Sequence, residues 1–318
     1  MVILEVDTLS IAYQTPNGLL KAVEGISFSL EQGRSLGLVG ESGCGKTTLG
    51  MALMRLLPPN GSVIAGQILF DGKNLLTLSG ESMRNIRWSQ MSMIFQAAMN
   101  ALNPVHRIDD QIAEAILTHT SHLSVEEAKK QVQGLLQRVS IPLERMRDYP
   151  HQYSGGMKQR AIIAMALACK PKLIIADEPT TALDVIVQDQ ILHEIKSLQK
   201  EFHISMLFIS HDISTVADVC HDIGIMYAGK LVEYGPTEDV FQYPLHPYTK
   251  ALLRSFPTLT GDRSRLESIP GETPDLTMPP FGCRFYDRCK IAENACRLSE
   301  PVWVNASPEH KALCFKCI

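Results

Sequence analysis

The stretch GESGCGKTT at 40–48 constrains this chain more than any other part of it. Gly40, Gly45, Lys46 and Thr47 fit the phosphate-loop pattern G-x-x-x-x-G-K-[ST], in which glycine backbone closes around an anion. Ser42, Gly43 and Cys44 fill the loop, and Gly43 adds a third point of close approach. The flanks agree: SLGLVG (35–40) reads as a short buried strand and TTLGMALMRLL (47–57) as a periodic apolar helix. Strand, tight loop and helix start together aim backbone N–H groups and the positive end of a helix dipole at one site. Lys46 would then reach the β- and γ-phosphates of a nucleotide, Thr47 would bind Mg²⁺ and Thr48 would reach the α-phosphate region. A plain glycine-rich turn before a helix requires neither the lysine nor the threonine.

Two later segments narrow the reading. KLIIADE (172–178) is a continuous apolar run closed by two acids, as expected of a central parallel strand covered on both faces. Asp177 would emerge at the carboxyl end, where open α/β sheets bind ligands, and hold Mg²⁺ directly or through water. Glu178 would polarise the attacking water. YSGGMKQR (153–160) places Ser154, Gly155 and Gly156 just ahead of a second helix, a second anion-binding N-terminus.

Strand-like segments fill residues 1–95, with turn signals at Pro16-Asn17-Gly18, Pro58-Pro59-Asn60-Gly61 and Asp71-Gly72. Helical periodicity replaces them over 108–140, so a mostly helical subdomain is expected at about 97–160. Strands and helices alternate again to 235, which predicts an α/β core with a parallel sheet. Beyond Gly235-Pro236 proline becomes frequent and five of the eight cysteines crowd into 283–318. The expected division is therefore 1–236 and 237–318.

Composition excludes several classes. Net charge is −4 and no basic tract stands out, which leaves nucleic-acid binding without electrostatic support. The longest apolar run, AIIAMALAC (161–169), is too short to span a bilayer. MVILEVDTLSIAY alternates like a strand and lacks the basic flank and apolar core of a signal peptide, so none is expected.

Together the phosphate loop, the S-G-G run and the Asp-Glu strand resemble the ATP-binding-cassette ATPases, whose core is a P-loop NTPase (RecA-like) fold with a helical signature subdomain. The resemblance implies ATP and Mg²⁺ as ligands. It assigns Gln96, in SMIFQ (92–96), to Mg²⁺ and the attacking water, and His211, in MLFISHD (206–212), to the γ-phosphate. Tyr13, in LSIAYQ, becomes the aromatic on which adenine stacks, although a strand aromatic can equally pack in a sheet. The signature serine and glycines would close over the ATP of a partner in a head-to-tail dimer. Tyr153 and Met157 depart from the common L-S-G-G-Q form.

FQAAMNALNPV (95–105), HPYTKALLRSFP (246–257) and IPGETPDLTMPPFGCRFYDRC (269–289) resemble the peptide-importer branch of that family, with Ala97-Ala98 in place of its usual Asp-Pro. The resemblance implies import of di- or oligopeptides, with nickel or another small solute as the alternative cargo. It implies a second ATPase subunit, two membrane permeases and an extracytoplasmic substrate-binding protein as partners, and a peripheral position on the cytoplasmic face of the membrane. Non-transport cassettes, and a nucleotide-binding module without turnover, are the competing classes. The absence of long heptad runs and the presence of Glu178 and His211 count against them.

Cys283, Cys289, Cys296 and Cys314 are spaced C-x5-C-x6-C-x17-C, with Cys317 following. Clustered cysteines without a secretory context suggest metal. Structural zinc favours C-x2–4-C pairs, and only Cys314 and Cys317 stand so. Four thiolates also suit an iron–sulfur cluster, and the peptide branch is associated with [4Fe–4S] in a small Cys-rich C-terminal domain. Zinc and free thiols remain the alternatives.

Overall fold

Ser35–Val39 is buried along its whole length, as an apolar strand covered on both faces must be. It pairs in parallel with Asp222–Tyr227, Leu36 opposite Asp222 and Val39 opposite Ile225. The chain then reverses through Ala228 and Gly229, both left-handed (φ 47 and 82), the two-residue turn whose twist suits a hairpin. Lys230–Pro236 returns antiparallel, with Lys230 opposite Tyr227.

The computed structural model describes residues 1–96, 101–120, 122–181, 183–255 and 268–316. They fall into two compact units. One comprises Met1–Ile3, Leu30–Arg34 and Asn74–Phe208; the other comprises Leu4–Ser29, Ser35–Lys73 and Ile209–Ile318.

In the first unit, Met91–Ile94 pairs in parallel with Leu173–Asp177, Ile94 opposite Ala176. Helices Ile108–His119, Val125–Arg138 and Gly155–Leu167 pack together, burying Ile112, Ile116, Val132, Leu136 and Ile163. A capping box starts the middle helix: Ser124 Oγ accepts from Glu127 N–H (3.2 Å), and Glu127 accepts from Ser124 N–H (2.8 Å). Such a cap is worth about 1 kcal/mol. The first two helices lie within 108–140 and the third runs on to Leu167; residues 97–100, including Ala97-Ala98, lie outside the described residues.

The second unit holds the phosphate loop and a separate sheet. Val2–Thr15 runs antiparallel to Gly61–Phe70, from Leu4 opposite Phe70 to Tyr13 opposite Gly61, with a register shift after Asp7. The strand arrangement thus corrects the parallel sheet expected from sequence. Parallel pairs occur, but hairpin returns add antiparallel ones, because a two-residue turn permits only an antiparallel neighbour.

The segment after 236 shares this unit. Lys311–Leu313 adds antiparallel to Lys230–Pro236, Ala312 opposite Glu233, and Trp303–Asn305 adds beyond it. Tyr227, Tyr248 and Phe285 meet with ring centroids 4.6–5.4 Å apart, two of the three contacts edge-on. The buried Glu233 carboxylate accepts from Leu245 N–H and His246 N–H (2.8 Å each) and pairs with His310 Nε2 at 2.9 Å. A segment too poor in apolar residues for its own core is held by strand addition, shared aromatics and a satisfied buried carboxylate.

His246 caps helix Pro247–Arg254, its Nδ1 accepting from Tyr248 N–H (3.0 Å). Burial pulls its pKa from 6.5 down to about 4, against an opposing pull from Glu233. Between those values the unfolded chain binds a proton that the folded chain refuses, so stability rises with pH there. The contribution is complete above pH 6.5 and is lost as pH falls to about 4, on the order of 3 kcal/mol in all. Thermal melts at pH 7 and pH 5 should show a steeper loss for wild type than for His246→Asn, which caps without titrating. Parallel losses would remove His246 from the explanation.

Candidate nucleotide site

Two glycines of the loop cannot be anything else. A Cβ on Gly40 would lie 2.0 Å from Met226 O, and one on Gly45 would lie 2.4 Å from Ala22 O, where φ is already 104. Gly45 caps helix Lys46–Leu53, which has no side-chain cap and no acid in its first turn. Its leading N–H groups are therefore left for an anion.

Lys46 is buried, with Nζ donating to Gly40 O (2.7 Å), Glu41 O (3.1 Å) and Cys44 Sγ (3.5 Å). The ammonium is thus held inside the loop by its own carbonyls. Cys44 faces it as a neutral thiol, its pKa raised by burial, the larger cause, against the pull of Lys46. Ser42, Gly43 and Thr47 are exposed at the mouth. Tyr13 donates its hydroxyl to Thr48 Oγ1 (3.2 Å), and its ring lies so close over Gly61 that a Cβ there would sit 2.6 Å from Cε1. His211 follows strand Ser205–Ser210, exposed, and precedes Asp212, whose carboxylate caps the next helix.

The other unit carries the acids. Asp177 is buried at the end of Leu173–Asp177. Glu178 turns left-handed (φ 48), a conformation that costs a non-glycine residue about 1–2 kcal/mol. Its Oε2 accepts from Gln96 Nε2 (3.1 Å) and Thr181 Oγ1 (2.9 Å). The exposed Gln96, which follows Met91–Ile94, is thus brought onto the carboxylate from 82 residues away in sequence.

Ser154 caps helix Gly155–Leu167, its Oγ accepting from Met157 N–H (3.3 Å), and no acid occupies the first turn. Ser154 is exposed and Gly155 and Gly156 are half-buried. A Cβ on Gly156 would meet Val187 Cγ1 at 2.9 Å. Tyr153, standing where leucine is usual, is buried among the helices and donates to Arg145 O (3.0 Å), so its departure is one of packing.

Cys283, Cys289, Cys296 and Cys314 line one small cavity with His246, Phe285, Ile291 and Phe315. Burial pushes the Cys283 thiol up to about 11, with the neighbouring cysteines adding to it. Among the described residues, no three His, Cys, Asp or Glu are arranged to hold a single metal ion. Cys317 lies outside the described residues.

The sequence reading missed Arg284 and Arg288, which sit between the cysteines. Arg284 pairs with Glu24 and donates to Ala228 O; Arg288 grips Glu41 of the phosphate loop itself. An acid inside the loop and arginines beside the cysteines were the available signals.

Comparison with known proteins decides the family. Residues 23–181 match the ABC transporter family, and residues 232–296 match the oligopeptide/dipeptide transporter C-terminal region. The chain belongs to the ABC transporter family. It is 46% identical over 312 residues to a dipeptide transport ATP-binding protein of Lactococcus lactis subsp. cremoris, covering 98% of this chain and 89% of that protein. It is 43% identical to an oligopeptide transport ATP-binding protein of Salmonella typhimurium, covering 99% and 94%. Among solved structures, a dimeric post-hydrolysis ATP-binding cassette bound to ADP and Pi aligns with TM-score 0.67 at 23% identity, covering 74% of this chain and 98% of that one. A cassette from Clostridium perfringens that is part of an ABC transporter complex gives TM-score 0.67 at 28% identity, covering 76% and 91%. The fold is that of the ABC ATPase cassette, and the enzyme is an ATPase. No helix among the described residues is long and apolar enough to cross a membrane.

Proposed function

We propose that this chain is the ATP-hydrolysing subunit of an importer of di- or oligopeptides. The observation that carries the reading is a formed phosphate loop in one compact unit with a segment matching the oligopeptide/dipeptide transporter C-terminal region. In this reading residues 1–236 form the cassette and 237–318 its extension. The cargo path belongs to two permease subunits, fed by a substrate-binding protein outside the membrane, with the cassette on the cytoplasmic face. A chromosomal deletion should abolish growth on di- or oligopeptides as sole source of a required amino acid. Wild type should restore it and Lys46→Ala should not; growth unchanged by deletion would refute the cargo.

Tyr13 stacks the adenine, the Gly40–Thr48 backbone and Lys46 hold the phosphates, and Ser154, Gly155 and Gly156 serve the partner's γ-phosphate. In the phosphate-loop unit Thr47 would offer Mg²⁺ a hard oxygen donor, and in the other unit Gln96 and Asp177 would offer theirs; the ion would neutralise charge developing on the phosphates. Glu178 takes a proton from the attacking water, with Gln96 holding its carboxylate in place and His211 near the γ-phosphate.

Cys283, Cys289, Cys296 and Cys314 are proposed to ligate one [4Fe–4S] cluster as a brace. Support comes from four soft donors lining one apolar cavity. Metal–ligand bonds would add folding energy to the segment. Anaerobically purified protein should carry about four irons and four labile sulfides per chain, and Cys289→Ser should lose them. Stoichiometric zinc without iron would replace the cluster by a zinc site.

A further inference from the structure

Glu41 is the one acid within the phosphate loop, and the extension holds it at three points. Its carboxylate accepts both Arg288 Nη groups, Nη1 at 2.7 Å and Nη2 at 2.9 Å, in the two-pronged geometry that arginine alone provides. Its backbone N–H donates to the Tyr248 hydroxyl at 3.0 Å. Arg288 is itself fully engaged. Nε donates to Pro270 O (2.8 Å), Nη1 also to Tyr227 Oη (3.3 Å) and Nη2 also to Ile269 O (3.4 Å), so each of the five donors has an acceptor. The Arg288 side chain is 6% exposed and Tyr248 is fully buried. A guanidinium with every donor taken has no freedom to follow a moving loop.

Glu41 also faces inward. Its carbonyl accepts from Lys46 Nζ (3.1 Å) and from Cys44 N–H (3.2 Å). The extension therefore fixes the residue whose carbonyl fixes the phosphate-binding lysine. The contact spans 247 positions of sequence, so no local turn preference enforces it.

We infer that Arg288 and Tyr248 are positioning residues for nucleotide binding: through Glu41 they hold the phosphate loop and Lys46 in the ATP-receptive shape. The extension then has a task at the ATP site of its own subunit, distinct from contact with permeases or cargo. The inference rests on the ATP-binding reading of the loop, which wild type and Lys46→Ala test separately.

The experiment is titration of the full-length chain with MgATP, with thermal melts as the control for folding. Arg288→Ala should raise the Kd about tenfold, a fraction of what breaking a buried charge pair costs. Arg288→Lys, which keeps the charge but not the fork, should fall between. Tyr248→Phe, which removes one acceptor and leaves the packing, should weaken ATP binding with little change in Tm. Because the pair acts as one unit, Glu41→Ala and Arg288→Ala combined should cost no more than the larger single change. At saturating ATP, kcat should stay near wild type while KM rises. Should Arg288→Ala fail to fold, Tyr248→Phe and Arg288→Lys decide the matter. Wild-type Kd in those folded variants, or strictly additive losses in the double variant, would reduce the clamp to a structural tie and overturn the inference. Loss of ATP binding in wild type itself would instead overturn the site reading.

Discussion

Replacing Glu178 with glutamine should lower ATP turnover by about 10²–10⁴, the worth of a positioned general base. At 1.36 kcal/mol per tenfold this is roughly 3–5 kcal/mol of barrier. The amide keeps the size of the carboxylate and can still meet Gln96 and Thr181, so the strained turn at Glu178 should persist. What disappears is the capacity to take a proton. ATP affinity should therefore be retained and an ATP-bound dimer should accumulate, visible as a doubled mass in size-exclusion chromatography with MgATP. Lys46→Ala should behave oppositely, losing affinity and never reaching that dimer. Wild-type hydrolysis by Glu178→Gln would move the base elsewhere.

The second large effect is expected at the signature. Gly155 is the first residue of its helix, at an N-terminus with no acid in its first turn. Gly155→Asp places a negative charge where the partner's γ-phosphate would dock, in a position otherwise suited to anions. Dimerisation and turnover should fall together, turnover to the background set by Glu178→Gln, while ATP binding by the monomer survives. A monomer affinity loss as large as that of Lys46→Ala would place the signature in cis.

Much of the site was legible because its chemistry is local. Gly40 to Thr48 is one unbroken motif, and Asp177 and Glu178 close a strand that composition alone marks as buried. The strained turn and the Gln96 contact at Glu178 were not legible, since they depend on how two strand ends meet. Neither was the Arg288 clamp, whose partners lie far apart in the chain. The parallel sheet expected from alternating strands and helices failed at residues 222–236, where Ala228-Gly229 makes a hairpin. Ala-Gly is not one of the favoured hairpin pairs such as Asn-Gly or Asp-Gly, so the reversal carried little signal. The cysteines are the visible signal in the extension, and they draw attention away from its other anchors. The extension gains much of its order from Glu233, a residue on a cassette strand that gives no hint of being a buried anchor.

The strand added by Lys311–Leu313 has a consequence for how the protein behaves in bulk. Lys230–Pro236 is a seven-residue strand with Leu231 and Val232 buried, and the added strand pairs with its outer side at Glu233 and Tyr234. What the sheet then presents there is Trp303–Asn305, three residues long and too short to template a long foreign strand. A chain cut after 236 would lose that pairing and leave Glu233 and Tyr234 on an open edge of the longer strand. Such a fragment should form oligomers and deposits by strand-to-strand joining. Where it pairs with that strand, at Glu233 and Tyr234, the extension thus also shields part of an edge through which copies could join.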